Sequence, residues 1–280
     1  MKQRIITGLI GVVFVILLLI FRTNIIFNIA IMLVALVAVN EALCATKMVK
    51  NLGVYLLSSL YAAIAPYYCF FDISPTRVSI TAVYAFALMM ILITQHEKVS
   101  IKEITYAGAM TVFISNSLAA LTYVSNTGIG IDGHKFDGLM MLLIALGSAW
   151  ISDTGAYFVG SKFGKNKLCP KVSPKKTVEG LIGGIVTNVL FCLILGIVFN
   201  SFVFEGYKAN LGWMLLVGFI GTLVSTVGDL VFSCIKRECG LKDYGNIMPG
   251  HGGILDRIDS LLVVSPFVYM FTLYIPIIVY

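Results

Sequence analysis

Long apolar runs recur along the whole chain of 280 residues, and they constrain the fold more than any other feature. A helix needs about 20 apolar residues to cross the hydrocarbon core of a bilayer. We place such runs at 5–21, 25–43, 52–71, 78–94, 104–124, 138–160, 180–204, 211–235 and 258–280. Backbone polar groups must be hydrogen-bonded internally in lipid, so each run is expected to be a helix. The sequence predicts an all-α polytopic membrane protein with about nine transmembrane helices. The runs at 5–21 and 78–94 are short, which leaves eight or ten spans open.

The first run follows a short basic segment, as in a signal peptide. No small-residue cleavage site follows it, so we expect an uncleaved first helix. We divide the chain into residues 1–137, with about five transmembrane helices, and residues 138–280. The second part is expected to be catalytic, with about four helices and two charged cytoplasmic loops.

The basic residues predict the orientation of the chain in the membrane. With nine spans and a cytoplasmic N-terminus, four of the 20 Lys and Arg residues lie outside and the other 16 lie inside. Those outside are Arg22, Arg77, Lys135 and Lys208. This split follows the positive-inside rule. The net charge of +6 is therefore mainly a topology signal, and nothing in it indicates nucleic-acid binding.

The segment Ser233–Ser260 concentrates charge in a chain that is only 12% charged overall. It holds two Lys, two Arg, four acidic residues and His251. Carboxylates can bind a divalent cation, and basic side chains beside them can bind phosphates. Such a segment between two apolar runs indicates chemistry on a phosphorylated molecule at a membrane surface.

A second charged loop, Ser161–Gly180, contains six Lys and leads directly into the seventh span. Thr177 can cap that helix, with Glu179 in its first turn, so that Lys175 and Lys176 precede a positive helix end. This arrangement suits a phosphate. The remaining lysines of the loop are better explained as anchors to anionic lipid.

Two aspartates lie inside apolar runs, at similar depth near the cytoplasmic side. Asp153 and Asp229 are each about seven residues, or roughly 10 Å, from the cytoplasmic end of their helix. A charged residue inside the bilayer normally faces a partner or a wet cavity. A purely structural polar contact is the alternative, but the matching depth favours a shared site.

Further polar residues are expected to face Asp229. Asp256 and Asp259 are three residues apart and lie on one helical face. Asp229, Ser233 and Lys236 form a stripe on the preceding helix. Across the resulting hairpin the carboxylates can hold one or two cations. Between the two helices, Gly252 and Gly253 can present backbone N–H groups to phosphate oxygens, although Gly-Gly also occurs in ordinary turns.

The spaced pattern S-x-I-K-R-x4-K-D-x-G-x3-P-G-H-G-G-I-L-D-R-I-D closely resembles the signature of the phosphatidate cytidylyltransferases, also called CDP-diacylglycerol synthases. The upstream elements S-D-T-G-A-Y-F-V-G and S-P-K-K-T-V-E-G are similar to the second hallmark of that family. The match covers about the C-terminal half of the chain. One conservative departure is Met248, which stands where the family usually has Leu, Ile or Phe.

The resemblance implies a magnesium-dependent reaction in which CTP and phosphatidic acid give CDP-diacylglycerol and pyrophosphate. It also implies a homodimer in the cell membrane, with the active site facing the cytoplasm. The expected metal ligands are Asp229 and Asp256, with Asp153 and Asp259 as secondary candidates. The residues expected to contact phosphates are Ser173, Lys175, Lys176, Lys236, Arg237, Lys242, Gly252, Gly253 and Arg257. Asp243 and His251 are functional by resemblance alone.

Two other functions compete with this reading of the sequence. Embedded Asp residues also occur in transporters. A transporter would place its charge near mid-membrane, whereas here the charge lies at the cytoplasmic ends of the last four spans. A CDP-alcohol phosphotransferase is excluded because its D-x2-D-G-x2-A-R motif is absent.

Overall fold

A computed structural model describes residues 2–67, 74–126, 137–202, 208–250 and 252–279. Within these residues the chain is built almost entirely from helices. The first five are α1 (Lys2–Ile20), α2 (Ile25–Ala45), α3 (Leu52–Ile64), α4 (Ser74–Thr94) and α5 (Ile101–Asn126). They are followed by α6 (Gly138–Leu146), a π-helical segment (Gly147–Ile151), α7 (Ser152–Phe163), α8 (Val178–Phe202), α9 (Leu211–Glu238) and α10 (Leu255–Tyr274).

The predicted all-α membrane architecture is confirmed at this level. Five helices in the described part of the chain are long and apolar enough to cross a membrane: Ile25–Ala45, Ile101–Ser125, Gly138–Phe163, Val178–Ser201 and Leu211–Glu238. Shorter apolar helices span Thr7–Ile20, Leu52–Tyr67 and Val78–Thr94. The total of about nine spans stays a prediction.

Large apolar side chains on the helix surfaces agree with a lipid environment. On α8 the exposed residues recur every three or four positions, at Ile182, Val186, Leu190, Ile194 and Ile197. A soluble protein rarely exposes a continuous apolar stripe of this length. This face of α8 is therefore suited to acyl chains.

Two short antiparallel strand pairs interrupt the helical pattern, and the sequence patterns did not predict them. Strands β1 (Lys167–Cys169) and β2 (Ser173–Thr177) pair antiparallel within the charged loop before α8. Strand β3 (Lys208–Ala209), just before α9, pairs antiparallel with strand β4 (Ile278–Val279), which follows α10. They are only two to five residues long and leave the fold class unchanged.

The chain divides into two compact units, each of which contains two separate stretches of sequence. Unit 1 comprises Met1–Asn126 and Glu238–Arg257, and unit 2 comprises Thr127–Arg237 and Ile258–Tyr280. The functional division at residue 137 remains a prediction. By packing, the signature loop after α9 belongs with the N-terminal helices.

In unit 1, α2 packs against α3 and α5 through small side chains. Ala35, Ala38 and Ala42 of α2 are completely buried, as is Ala107 of α5. Small residues let helix backbones approach closely, which is the usual way to gain packing energy in a membrane. In unit 2, α7 packs along α8.

Candidate functional site

The hairpin β1–β2 fixes the start of α8 in unit 2. Thr177 Oγ1 accepts a hydrogen bond from the Gly180 N–H at 3.1 Å, which confirms the predicted helix cap. The Glu179 carboxylate accepts from the backbone N–H of Lys165 and of Asn166, both at 3.1 Å. The loop thus closes back on the helix, and Lys176 is held on β2 beside the first turn.

Glycines allow α7 and α8 to pack closely. A Cβ added at Gly180 would stand 2.8 Å from the Ala156 carbonyl oxygen, and one at Gly184 would stand 2.8 Å from that of Ser152. A Cβ at Gly160 would stand 3.3 Å from the Cα of Gly180. Any larger residue at these positions would separate the two helices. The packing brings Asp153 on α7 within electrostatic range of Lys176 on β2, two residues before α8.

Helices α9 and α10 also approach closely within unit 2. A Cβ added at Gly228 would stand 2.8 Å from Val263 Cγ2 and 3.3 Å from the Cα of Ser260. The neighbours of these residues in the chain are Asp229 and Asp259. The close approach therefore places two carboxylates near each other, within electrostatic range.

Two ion pairs link the acidic side chains of unit 2 to lysines. Lys176 Nζ lies 2.5 Å from Asp229 Oδ2, and Lys236 Nζ lies 3.7 Å from Asp259 Oδ2. Ser233 Oγ donates to Asp229 Oδ1 at 3.3 Å, so the predicted stripe on α9 is present. The side chains of Lys176 and Asp229 are 22% and 24% exposed. Those of Lys236 and Asp259 are more buried, at 10% and 11% exposed.

We call Asp153, Lys176, Asp229, Lys236 and Asp259 the charge cluster. Its three carboxylates interact electrostatically with one another and with the two lysines. They come from α7, α9 and α10, with Lys176 on β2. Since the carboxylates outnumber the lysines by one, the cluster carries net negative charge when all groups are ionised. A cation could replace a lysine as the partner of a carboxylate, and a phosphate could replace a carboxylate as the partner of a lysine.

The donor set of the charge cluster fits a hard divalent cation. Carboxylate oxygens are the ligands that Mg²⁺ prefers. In the described part of the chain, however, no three His, Cys, Asp or Glu side chains converge to hold a metal. The lysine ammonium groups supply the positive charge in this arrangement.

In unit 1, Asp256 organises the signature loop. Its Oδ2 accepts from the backbone N–H of Tyr244 at 2.8 Å and of Gly253 at 3.0 Å. The Met248 N–H donates to the Gly252 carbonyl at 2.9 Å. Gly252 has a φ of 83°, which only glycine adopts readily. The Gly253 N–H therefore points at a carboxylate in this structure, and its predicted contact with phosphate stays a prediction.

Sequence reasoning missed Glu41, which lies on α2 and is only 8% exposed. Its Oε1 accepts from the Ile254 N–H at 3.1 Å, and its Oε2 accepts from the Leu255 N–H at 2.7 Å. An ionisable residue inside an apolar run is itself a signal of function. That signal was available in the sequence, but it did not reveal the partners of Glu41, which lie 213 and 214 positions away.

The other predicted site residues lie around these two arrangements. Ser173 begins β2 and is half-buried, and Lys175 is exposed on the same strand. Asp243 is exposed, and its Cγ would stand 3.5 Å from a Cβ added at Gly252. The exposed basic residues are Arg237, Lys242 and Arg257. His251 lies outside the described residues.

Comparison with known proteins yields matches over the whole chain. The model of the cytidylyltransferase family matches residues 2–275. A protein of Bacillus subtilis (strain 168) named phosphatidate cytidylyltransferase is 34% identical over 275 residues, which is 96% of each chain. A protein of the same name from Haemophilus influenzae is 42% identical over 140 residues, which is 50% of this chain and 48% of the relative. Another from Staphylococcus haemolyticus is 42% identical over 149 residues, which is 52% of this chain and 55% of the relative. These matches confirm the resemblance carried by the signature residues.

Proposed function

Because this chain belongs to the cytidylyltransferase family, we propose that it transfers CMP from CTP to phosphatidic acid, giving CDP-diacylglycerol and pyrophosphate for phospholipid synthesis. The observation that carries the proposal is the relative named phosphatidate cytidylyltransferase, matched over 96% of both chains. The charge cluster supports it, since it sets carboxylates and lysines side by side in a helical membrane protein.

The reaction is an in-line displacement at phosphorus. A phosphate oxygen of phosphatidic acid attacks the α-phosphorus of CTP and forms a new P–O–P linkage. The bond from the α-phosphorus to the oxygen that bridges to the β-phosphate breaks, and pyrophosphate leaves with that electron pair. The step requires alignment of the two phosphates and neutralisation of developing charge, and no covalent enzyme intermediate.

The lysines of the charge cluster are suited to holding these phosphates. Lys176 and Lys236 are fixed in position by Asp229 and Asp259. When a phosphate arrives, each ammonium group can donate to it without first being ordered, which lowers the entropic cost of binding. Weaker, solvent-exposed contacts with the substrate phosphates are assigned to four exposed basic residues, Lys175, Arg237, Lys242 and Arg257. Ser173, Asp243, His251, Gly252 and Gly253 are included in the proposal by their place in the family signature.

Cation binding in this proposal falls to Asp229, Asp259 and Asp153, whose side chains interact electrostatically with one another. Since no three such side chains converge among the described residues, binding would require them to move together around the ion. Asp256 remains a further proposed ligand, with one of its oxygens already accepting two backbone hydrogen bonds. A bound Mg²⁺, alone or with a second cation, would neutralise charge on the nucleotide phosphates. The protein residues would then orient the two substrates.

The proposal includes a location in the cell membrane, with the charge cluster on the cytoplasmic side. Phosphatidic acid resides in the bilayer and CTP in the cytosol, so the reaction must occur where the two meet. The distribution of basic residues supports this orientation. We further propose that the chain crosses the membrane about nine times and forms a homodimer. The proposal includes no nucleic-acid partner.

The test is incubation of the purified protein in detergent with labelled CTP, phosphatidic acid and Mg²⁺. We expect a lipid-linked CMP to form together with an equal amount of pyrophosphate, and expect chelation of the metal to stop it. Detergent solution has no separate compartments, so a transporter gives no product in this assay. If neither product forms in the complete mixture, the proposed reaction is wrong.

A further inference from the structure

Glu41 connects a helix of the N-terminal half to the signature loop, although the two segments are far apart in sequence. Its two carboxylate oxygens accept from the consecutive N–H groups of Ile254 and Leu255, where α10 begins. The first N–H groups of a helix have no partner within the helix. A negative charge at this end also interacts favourably with the helix dipole. Glu41 thus acts as an N-terminal cap supplied from another helix.

The loop is shaped to receive this carboxylate. A Cβ added at Gly245 would stand 2.7 Å from Glu41 Cδ, and one at Gly253 would stand 2.6 Å from the same atom. Two glycines of the signature loop therefore border the carboxylate directly, and a larger residue at either position would displace it. The same backbone carries Asp256, whose Oδ2 holds Gly253 from the other side.

We propose that Glu41 is a positioning residue for the transfer reaction. It fixes the backbone at Gly245 and at residues 253–255, and thereby sets the place of Asp256 and of these parts of the signature loop. The inference rests on the proposed function, because it assigns Glu41 a part in the same reaction. The two bonds to Glu41 involve a carboxylate acceptor, and one is buried while the other is partly buried, so together they are strong enough to define one loop geometry.

Glu103 provides a matched control in unit 1. It is 5% exposed, and its Oε1 accepts from the consecutive N–H groups of Lys50 and Asn51, both at 2.7 Å. It therefore makes the same kind of carboxylate-to-backbone contact as Glu41, but on a different loop. Glu41→Gln and Glu103→Gln each replace a carboxyl group by an amide of nearly the same size. A difference in kinetics between the two variants can therefore be attributed to the loop that each carboxylate holds, and not to the loss of a carboxylate as such.

The experiment combines steady-state kinetics with hydrogen exchange on the purified full chain. We expect Glu41→Gln to lower kcat/KM for CTP about tenfold or more and to speed amide exchange in residues 244–257. Glu103→Gln should leave kcat/KM within about twofold and speed exchange only around residues 50–51. Gly245→Ala keeps the charge of Glu41 and crowds it, so it should reproduce the kinetic defect even if Glu41→Gln folds poorly.

The outcomes separate this inference from the proposed function. Unchanged kinetics and unchanged exchange in Glu41→Gln would overturn the positioning role, and so would equal kinetic losses in the Glu41 and Glu103 variants. If the wild-type protein forms no lipid-linked CMP, the proposed reaction fails. The exchange data then still decide whether Glu41 holds the loop.

Discussion

Replacing Asp229 by Asn removes one charge from the charge cluster and keeps the shape of the side chain. Asp229 pairs with Lys176 at 2.5 Å and accepts from Ser233 at 3.3 Å. Breaking a buried ion pair costs about 3–5 kcal/mol, whereas an exposed pair contributes about 0–1 kcal/mol. Both side chains here are nearly a quarter exposed, so we expect a loss of about 2 kcal/mol in the free energy of unfolding.

Catalysis should suffer far more than stability. Loss of a group that neutralises or positions transition-state charge typically lowers kcat by about 100-fold to 1,000-fold. A protein with a stability of about 5–15 kcal/mol stays almost fully folded after losing about 2 kcal/mol. We therefore expect kcat for lipid-linked CMP formation to fall at least about 100-fold in Asp229→Asn while the thermal transition in detergent falls only a few degrees.

Two further variants test the cause of this loss. Asp229→Asn combined with Lys176→Met removes the unpaired ammonium group, so it should recover much of the stability but none of the activity. Asp137→Ala is a control for stability, because Asp137 caps α6 by accepting from the Met140 N–H at 2.8 Å. It should cost about 1 kcal/mol and leave kcat intact. Near-normal turnover of Asp229→Asn at limiting Mg²⁺ would refute the cation assignment, and recovery of turnover in the double variant would show that the pair is merely structural.

The remaining predictions concern phosphate binding, helix packing and topology. Lys176→Ala should raise KM for CTP about tenfold, whereas Lys165→Ala should change it less than twofold; equal effects in titrations of CTP would instead favour a general membrane anchor. Gly228→Ala should lower stability by about 1–3 kcal/mol and reduce kcat, because an added Cβ would force α9 and α10 apart; unchanged melting and turnover would contradict the close packing. In a Cys-free background, an impermeant thiol reagent added to intact cells should label Cys substituted for Lys135 but not for Lys242; the reverse result would rule out a cytoplasmic site.

Much of the helical architecture could be predicted from the sequence, because a bilayer imposes simple rules on composition. Apolar runs and the positions of Asp153 and Asp229 were sufficient to place helices and to suggest a shared polar site. The ion pair of Asp229 with Lys176 could not be foreseen as a contact, because it joins α9 to the strand before α8 and depends on how α8 and α9 pack. A Cβ added at Gly218 of α9 would stand only 2.9 Å from the Cα of Val189 on α8. The short strands could not be predicted either, since so few residues leave no clear periodicity.

The role of Glu41 was beyond sequence patterns for a different reason. Its partners are backbone N–H groups, which every residue except proline carries, so no residue type marks them. For Asp256, the sequence predicted a role but not its contacts. Its position in the signature predicted a metal ligand, and the structure adds contacts with Tyr244 and Gly253 that no spacing rule specifies.

Unit 1 is built from two separate stretches of the chain, and this affects the order in which it can fold during synthesis. Its last stretch, Glu238–Arg257, is synthesised only after the whole intervening segment from residue 127 to 237. Until that stretch leaves the ribosome, the carboxylate of Glu41 lacks the two amide donors that it has in the finished protein. An early unit 1 would thus carry an uncompensated acid on a membrane-inserted helix, which is costly and disfavours a stable intermediate. Chains truncated before residue 254 should therefore be recognised and degraded by membrane quality control, even though all the helices up to α9 are present.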